Sequence, residues 1–175
     1  MIEVEVKFPV EDVEFVEKRL AEFAEFVIEK TEHDIYFNSP WRDFKETDEA
    51  LRIRRDEEGI SITYKGPKIE NKTKTREEIK LKINDYDSGI ILLRNLGFFK
   101  SGEVLKKRKV FRVQDAVLCL DDVKHLGNFL EIEIQSDKNE IEKNVERVFD
   151  LARNFGFTQE QSTRKSYLEL LENIR

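Results

Sequence analysis

The sequence predicts an α+β fold in which antiparallel strands carry helices on their apolar side. Three observations predict it: several stretches alternate charge and hydrophobe with a strict period of two, three stretches repeat hydrophobes at helical spacing, and the joints between them hold Gly, Pro, Asn and Asp. The 175 residues fit one domain, residues 1–175, and with 39% hydrophobic and 39% charged residues the chain has material for a sizeable core. A formal charge of −6 and a pI near 5.2 argue against binding nucleic acid or an anionic membrane, so any basic cluster is local and aimed at a small anion. With no signal peptide and no apolar run of about 18 residues, a soluble, cytoplasmic protein is expected.

The first stretch, Glu3-Val4-Glu5-Val6-Lys7-Phe8, sets two carboxylates and an amine on one face of a strand and three hydrophobes on the other. Taken alone it reads as a half-buried strand with a solvated side. Pro9 ends it, and a helix is expected from about residue 11 to 25, with Val13, Val16, Leu20, Phe23 and Val27 as its buried stripe. From Ile28 to Phe37 the chain reads as extended. Asn38-Ser39-Pro40 opens a loop through Lys45 that carries the single Trp41, suited either to stacking on a base or to burial against a helix. The strands Ala50 to Arg55 and Ile60 to Lys65 flank Asp56-Glu57-Glu58-Gly59, a hairpin turn, and a polar, mobile crossing is expected from Gly66 to Lys72.

The next strand, Thr75 to Ile83, puts Ile79, Leu81 and Ile83 opposite Arg76, Glu78, Lys80 and Lys82. A helix capped near Asp87 or Ser88 and stopped by Gly97 leads to strands at Val104 to Val113, Val117 to Val123 and Asn128 to Gln135. A third helix is expected from Asp137, with Glu140 completing a capping box, to just before Gly156, and 164–173 forms a short apolar-faced end. Arg94-Asn95-Leu96-Gly97-Phe98 and Arg153-Asn154-Phe155-Gly156-Phe157 echo one another, through either a degenerate repeat or a shared helix stop. Cys119 sits in an apolar run as a buried thiol, and His33 and His125 lack metal-ligand spacing.

Collected by parity, the charged faces hold Glu3, Glu5, Glu78, Asp121, Glu131 and Glu133 against Lys7, Arg52, Arg54, Lys65, Arg76, Lys106 and Arg108. Either the sheet is open and these residues face water, or it curls into a barrel with a charged lumen. Arg-x-Arg and Lys-x-Arg on one face favour the barrel, because adjacent like charges repel unless an anion lies between them. On that reading, Arg54→Ala should leave the ligand-free protein as stable as before or slightly more so. Guanidinium forks suit phosphate oxygens and carboxylates suit a hard divalent ion, so a polyphosphate with Mg²⁺ or Mn²⁺ fits the set.

These residues resemble the CYTH superfamily of triphosphate tunnel metalloenzymes, and within it the class IV adenylyl cyclases. The likeness lies in Glu3-x-Glu5-x-Lys7, Asp34-x-Tyr36-Phe37, Asp48-Glu49-Ala50-Leu51-Arg52-Ile53-Arg54, Tyr64-Lys65-Gly66, Arg76-x-Glu78, Lys106-x-Arg108, Asp121, Leu126-Gly127-x-Phe129-Leu130-Glu131-Ile132-Glu133 and Arg164-Lys165-Ser166-Tyr167. It spans the whole chain. The resemblance implies an eight-stranded antiparallel tunnel with the charges inside and the helices outside. It implies that Lys7, Arg52, Arg54, Lys65, Arg76, Lys106 and Arg108 bind a triphosphate, with Lys7, Lys65 and Lys106 catalytic, and that Glu3, Glu5, Glu131 and Glu133, together with Glu78 and Asp121, hold Mg²⁺ or Mn²⁺. Lys7 serves either as a phosphate clamp or, with a lowered pKa, as a base. The expected reaction is cyclisation of ATP to 3′,5′-cyclic AMP and pyrophosphate. Hydrolysis of tripolyphosphate or thiamine triphosphate, and noncatalytic binding of nucleotide or polyphosphate, are the alternatives. A homodimer is implied by the resemblance alone.

Overall fold

The opening strand, β1 (Ile2–Val10), has no solvated side: Glu3, Glu5 and Lys7 are as buried as Val4, Val6 and Phe8. In the computed structural model, which describes residues 1–174, this is because β1 closes a barrel of eight antiparallel strands. The others are β2 (Glu25–Asn38), β3 (Ala50–Asp56), β4 (Gly59–Lys68), β5 (Arg76–Ile83), β6 (Phe99–Val113), β7 (Ala116–Val123) and β8 (Gly127–Ser136), in the spatial order β1-β5-β4-β3-β2-β6-β7-β8. Eight strands make a lumen just wide enough for side chains to fill or for one small ligand. Alternation then turns the charged faces of β1, β3, β5 and β8 inward and leaves the apolar faces of β1, β7 and β8 outward, under the helices. The barrel reading therefore displaces the open, watered sheet.

Closure is uneven. β1 pairs with β8 from Ile2 to Val10 but meets β5 only at Ile2↔Glu77 and Glu3↔Arg76. Past that point the seam is held by single bonds, from Lys74 N–H to the Glu5 carbonyl at 2.8 Å and from Thr163 N–H to the Lys7 carbonyl at 2.8 Å. The expected crossing is therefore shorter than 66–72: β4 continues to Lys68, and residues 73–76 are buried in the seam.

Helices cover the outside. The helices α1 (Val13–Phe23) and α3 (Ile141–Arg153) pack Val16, Leu20, Val145, Val148 and Ala152 on the outer faces of β1, β7 and β8. Val27 does not extend the α1 stripe, because the chain turns extended at Ala24 and Val27 falls in β2. The helix α2 (Tyr86–Asn95) lies over β3, where a Cβ added at Gly89 would stand 3.4 Å from Ile53 Cδ1 and 2.6 Å from Ile83 Cδ1 at the end of β5. Its cap is Asp85, two or three residues before the expected one, accepting from Ser88 N–H at 2.6 Å. The Asp137 capping box does not form, since a 3₁₀ turn at Lys138–Glu140 precedes α3. Gly97 and Gly156 take φ of +91° and +77°, so the paired helix stops are explained by left-handed glycines. The outer face of β5 is bare: Ile79 and Leu81 are 50% and 59% exposed.

The last helix, α4 (Tyr167–Glu172), is fixed by a reciprocal Ser166/Glu169 capping box and lies across one end of the barrel. There Tyr167 and Leu171 pack on Tyr36, Val104, Val123 and Phe129.

Candidate functional site in the barrel lumen

Every residue nominated from the sequence except Asp121 lines a single cavity of about 410 Å³ inside the barrel. Asp121 shares the inward face of β7 with Val117 and Cys119 but is fully buried against Arg108 and Tyr167. Its carboxylate takes Arg108 Nε at 2.6 Å and the Tyr167 hydroxyl at 2.7 Å, so it orients a lumen arginine and ties down α4.

The cations are not a bare cluster: Arg52 still repels Arg54, but carboxylates unassigned from the sequence lie between them and offset the repulsion. Arg54 donates to both oxygens of Asp34 at 2.6 and 2.7 Å and reaches Glu32 at 2.8 Å. Lys106 meets Glu32 at 2.9 Å, and Arg52 lies 3.5 Å from Asp34. Burial pushes the Asp34 and Glu32 carboxyls up, but Arg54 and Arg52 around Asp34, and Lys106, Arg108 and Arg54 around Glu32, overcome it and hold both below the usual carboxylate range. Arg54→Ala would strip both carboxylates of a buried partner, which overturns the expectation that the variant is harmless without ligand.

On the opposite wall, ammonium groups separate the carboxylates. Lys65 Nζ bridges Glu3 at 2.6 Å and Glu78 at 2.7 Å, Lys74 meets Glu5 at 2.8 Å, and Lys7 meets Glu131 at 2.9 Å. Burial opposes the charge on Lys7 and Lys65, yet Glu131 and Glu5 beside Lys7, and Glu3 and Glu78 beside Lys65, raise both pKa values. Lys7 is thus held as a cation and suits a clamp rather than a base. Its Nζ also lies 3.8 Å from the centre of the Tyr167 ring, a cation–π contact. Lys74 differs: burial, opposed by Glu5 and abetted by Lys7, brings it down to about 7.

Glu133 has no lysine or arginine at ion-pair distance among the described residues. Burial first and Glu3 next push its carboxyl up to about 8, against the pull of Arg108. Glu3 is raised as well, by burial more than Lys65 can offset, with Glu78 and Glu5 adding to the rise. A hard divalent ion would relieve that repulsion, and oxygen donors on β1 and β8 fit one chemically. The donors are not gathered, however: among the described residues no three such groups converge on a metal position as they stand. Beyond these ion pairs, Arg52 Nε, Thr63 Oγ1 and Arg76 Nε are buried polar atoms of cavity-lining residues without a hydrogen-bond partner among the described residues. Unsatisfied polar atoms concentrated in one cavity mark it as built for a polar ligand.

Glu32, Asp34, Lys30 and Lys74 went unassigned in the sequence although a signal exists. Lys30, Glu32, Asp34 and Tyr36 share one parity, with Glu32-x-Asp34 repeating the acidic spacing of Glu3-x-Glu5, and Lys74 shares parity with Arg76. Trp41 is 72% exposed, stands edge-on to Phe98 and is absent from the cavity wall, so it is not buried against a helix. Cys119 is buried, and burial raises its thiol pKa well above normal.

A closed eight-stranded barrel with helices outside and an interior of alternating guanidinium, ammonium and carboxylate groups defines an α+β tunnel protein of the triphosphate-tunnel type. The chain belongs to the CYTH family, whose domain model matches residues 1–167. A relative from Methanocaldococcus jannaschii that carries the provisional name adenylate cyclase is 42% identical over 172 residues, covering 97% of this chain and 98% of the relative. The adenylate cyclase CyaB of Aeromonas hydrophila is 28% identical over 175 residues, covering 97% and 88%. A Pyrococcus horikoshii protein of solved structure superposes with a TM-score of 0.91 at 40% identity and 99% coverage of both chains. No helix among the described residues is long and apolar enough to cross a membrane.

Proposed function

We propose that the protein is a divalent-metal-dependent adenylyl cyclase that converts ATP to 3′,5′-cyclic AMP and pyrophosphate. The observation that carries this reading is the lumen itself, where arginines and lysines on six strands converge on one cavity while held on exchangeable carboxylates. Phosphoryl and nucleotidyl transfer depend on in-line positioning and charge neutralisation more than on covalent help.

Arg52, Arg54, Lys65, Arg76, Lys106 and Arg108, with Lys7, would grip the triphosphate oxygens, and the high pKa values of Lys7 and Lys65 keep those two charged throughout. Glu3, Glu5, Glu131 and Glu133, with Glu78, would hold Mg²⁺ or Mn²⁺, which when bound neutralises phosphate charge and orients the reacting group. Asp121 acts at one remove, by fixing Arg108. In the reaction the ribose 3′-oxygen bonds to the α-phosphorus, the bond from that phosphorus to the bridging oxygen breaks, pyrophosphate leaves with the electron pair, and the hydroxyl proton is released.

The deciding experiment is incubation of purified protein with ATP, thiamine triphosphate or tripolyphosphate plus Mg²⁺ or Mn²⁺, with products identified. Cyclic AMP from ATP supports the cyclase. Orthophosphate released from tripolyphosphate or thiamine triphosphate, with no cyclic AMP, replaces it with a triphosphatase, and binding without product makes the protein a sensor. A homodimer is proposed on family resemblance alone, and sedimentation velocity giving only the 20.8 kDa monomer mass would refute it.

A further inference from the structure

We infer that the tunnel takes its nucleotide in one direction, with the nucleoside on an apolar shelf at the β3–β4 hairpin end and the terminal phosphate toward α4. The inference rests on the triphosphate reading above and assigns the part of the cavity which that reading leaves unused. The lumen is not uniform along its axis. At one end Tyr167 and Tyr36, 4% and 8% exposed, close it beneath α4. The cavity-lining residues that are exposed, Val27, Glu58, Lys80 and Arg112, lie together at the other end, which is therefore the mouth.

Just inside the mouth, on β2, β6 and β7, the inward positions change from charged to apolar, while Lys30, Glu58, Lys80 and Arg112 keep the rest of the rim charged. Ile28 on β2 stands opposite Val110 on β6, which stands opposite Cys119 on β7, and Val117 follows two residues along β7. All four line the cavity with Val27 at the rim. No helix covers these side chains, because they point into the barrel, and Ile28, Val110 and Val117 remain half-buried. Outward-facing valines on β1 have a packing partner in α1 and α3. These have none, so they form an apolar surface continuous with a phosphate-binding one.

A nucleoside triphosphate has the matching polarity, a flat apolar base joined to a chain of anions. Seated with its base on the shelf, it places its triphosphate among Lys106, Arg108, Arg54 and Lys7 deeper in. Its α-phosphate is then nearest the mouth, where the ribose can fold back on it. The cavity also lies in the size range, about 300–1,000 Å³, of pockets that enclose small ligands. A smaller cavity of about 200 Å³ between the 38–49 loop and α4 shares Tyr36, Ala50, Arg76 and Ser166 with the tunnel and is the competing seat for the base.

Two measurements on the full chain test the assignment, both with Ca²⁺ replacing Mg²⁺ to hold chemistry back. In the first, the Val110→Thr/Val117→Thr double variant, near-isosteric and of high strand propensity, should bind ATP about tenfold more weakly while its tripolyphosphate affinity stays within about twofold of wild type. Parallel losses for both ligands, or none for either, would overturn the shelf. The second uses wild-type protein alone: amide shifts that differ between the ATP and tripolyphosphate complexes should centre on Ile28, Val110 and Val117. Differences centred on Phe44, Leu51 and Leu168 would move the base to the α4 side and reverse the direction. Tripolyphosphate that perturbs no lumen residue would refute the triphosphate reading and this inference with it.

Discussion

Replacing Glu133 by Gln should stabilise the metal-free protein while sharply lowering its activity. The carboxyl is buried and further crowded by Glu3, Glu131 and Glu5, which push its pKa up to about 8 against an ordinary value of 4.5. Between those two pH values the folded state binds more protons than the unfolded chain, so wild-type stability falls as pH rises through that window. Gln mimics the protonated form and is free of this loss. At pH 7 the full linkage is about 3 kcal/mol, and allowing half of it for side-chain relaxation and water reaching a half-buried group leaves about 1.5 kcal/mol. For a chain of this size that corresponds to a rise in Tm of about 3–6 °C.

The assay is thermal unfolding of both proteins in EDTA from pH 5 to pH 8, beside product formation with Mg²⁺ or Mn²⁺. The gap in Tm should widen with pH, and activity should fall sharply and recover in part with excess metal. An equal or lower Tm for the variant at every pH would refute the crowding of Glu133. Full activity at limiting metal would remove it from the ion site.

Its neighbour should respond with the opposite sign. Glu131→Gln breaks contacts with Lys7 and Arg108, so both activity and metal-free stability should drop, and a Tm at or above wild type would show that those pairs contribute nothing. Arg54→Ala leaves Asp34 and Glu32 short of a buried partner and should cost about 3–5 kcal/mol. Chemical denaturation in EDTA measures this, and an unchanged midpoint would restore the picture of mutually repelling cations.

Parity along single strands identified which residues share a face, and it did so for almost every lumen residue. It could not show that β1 meets β8, because closure depends on pairing between the two ends of the chain, and only the family resemblance implied it. Glu32 and Asp34 repeat the acidic spacing of Glu3 and Glu5, but the opposite face of β2 carries Glu29, Thr31 and His33 rather than hydrophobes, so the stretch lacks the charge–hydrophobe alternation that marks the other strands. The α1 boundary was misplaced for a local reason: Phe23 to Val27 continues the helical spacing, and neither Gly nor Pro marks the turn to extended backbone at Ala24. The bare face of β5 was also out of reach, since Ile79, Leu81 and Ile83 read like any buried strand face.

The pairing of every lumen cation but a few with a carboxylate has a consequence for how ligands bind. Lys65, Lys74 and Lys7 are held by Glu3, Glu5 and Glu131, which are also the proposed metal ligands. A triphosphate drawing those lysines away would leave buried carboxylates without partners, a state costing several kcal/mol unless a cation replaces them. A divalent ion arriving alone faces the reverse difficulty, since the lysines already occupy its oxygens. Polyphosphate and metal should therefore bind with positive coupling, and coupling of equilibrium affinities is reciprocal. Glu5→Gln separates this from simple chelation in solution, which the variant leaves untouched. Calorimetry should show Mg²⁺ strengthening tripolyphosphate binding to wild type by about 5- to 150-fold beyond the gain seen with Glu5→Gln, the usual span of such couplings. Equal enhancement in both proteins would mean that metal and phosphate meet before they reach the lumen, and that Glu5 holds Lys74 without ever releasing it to a ligand.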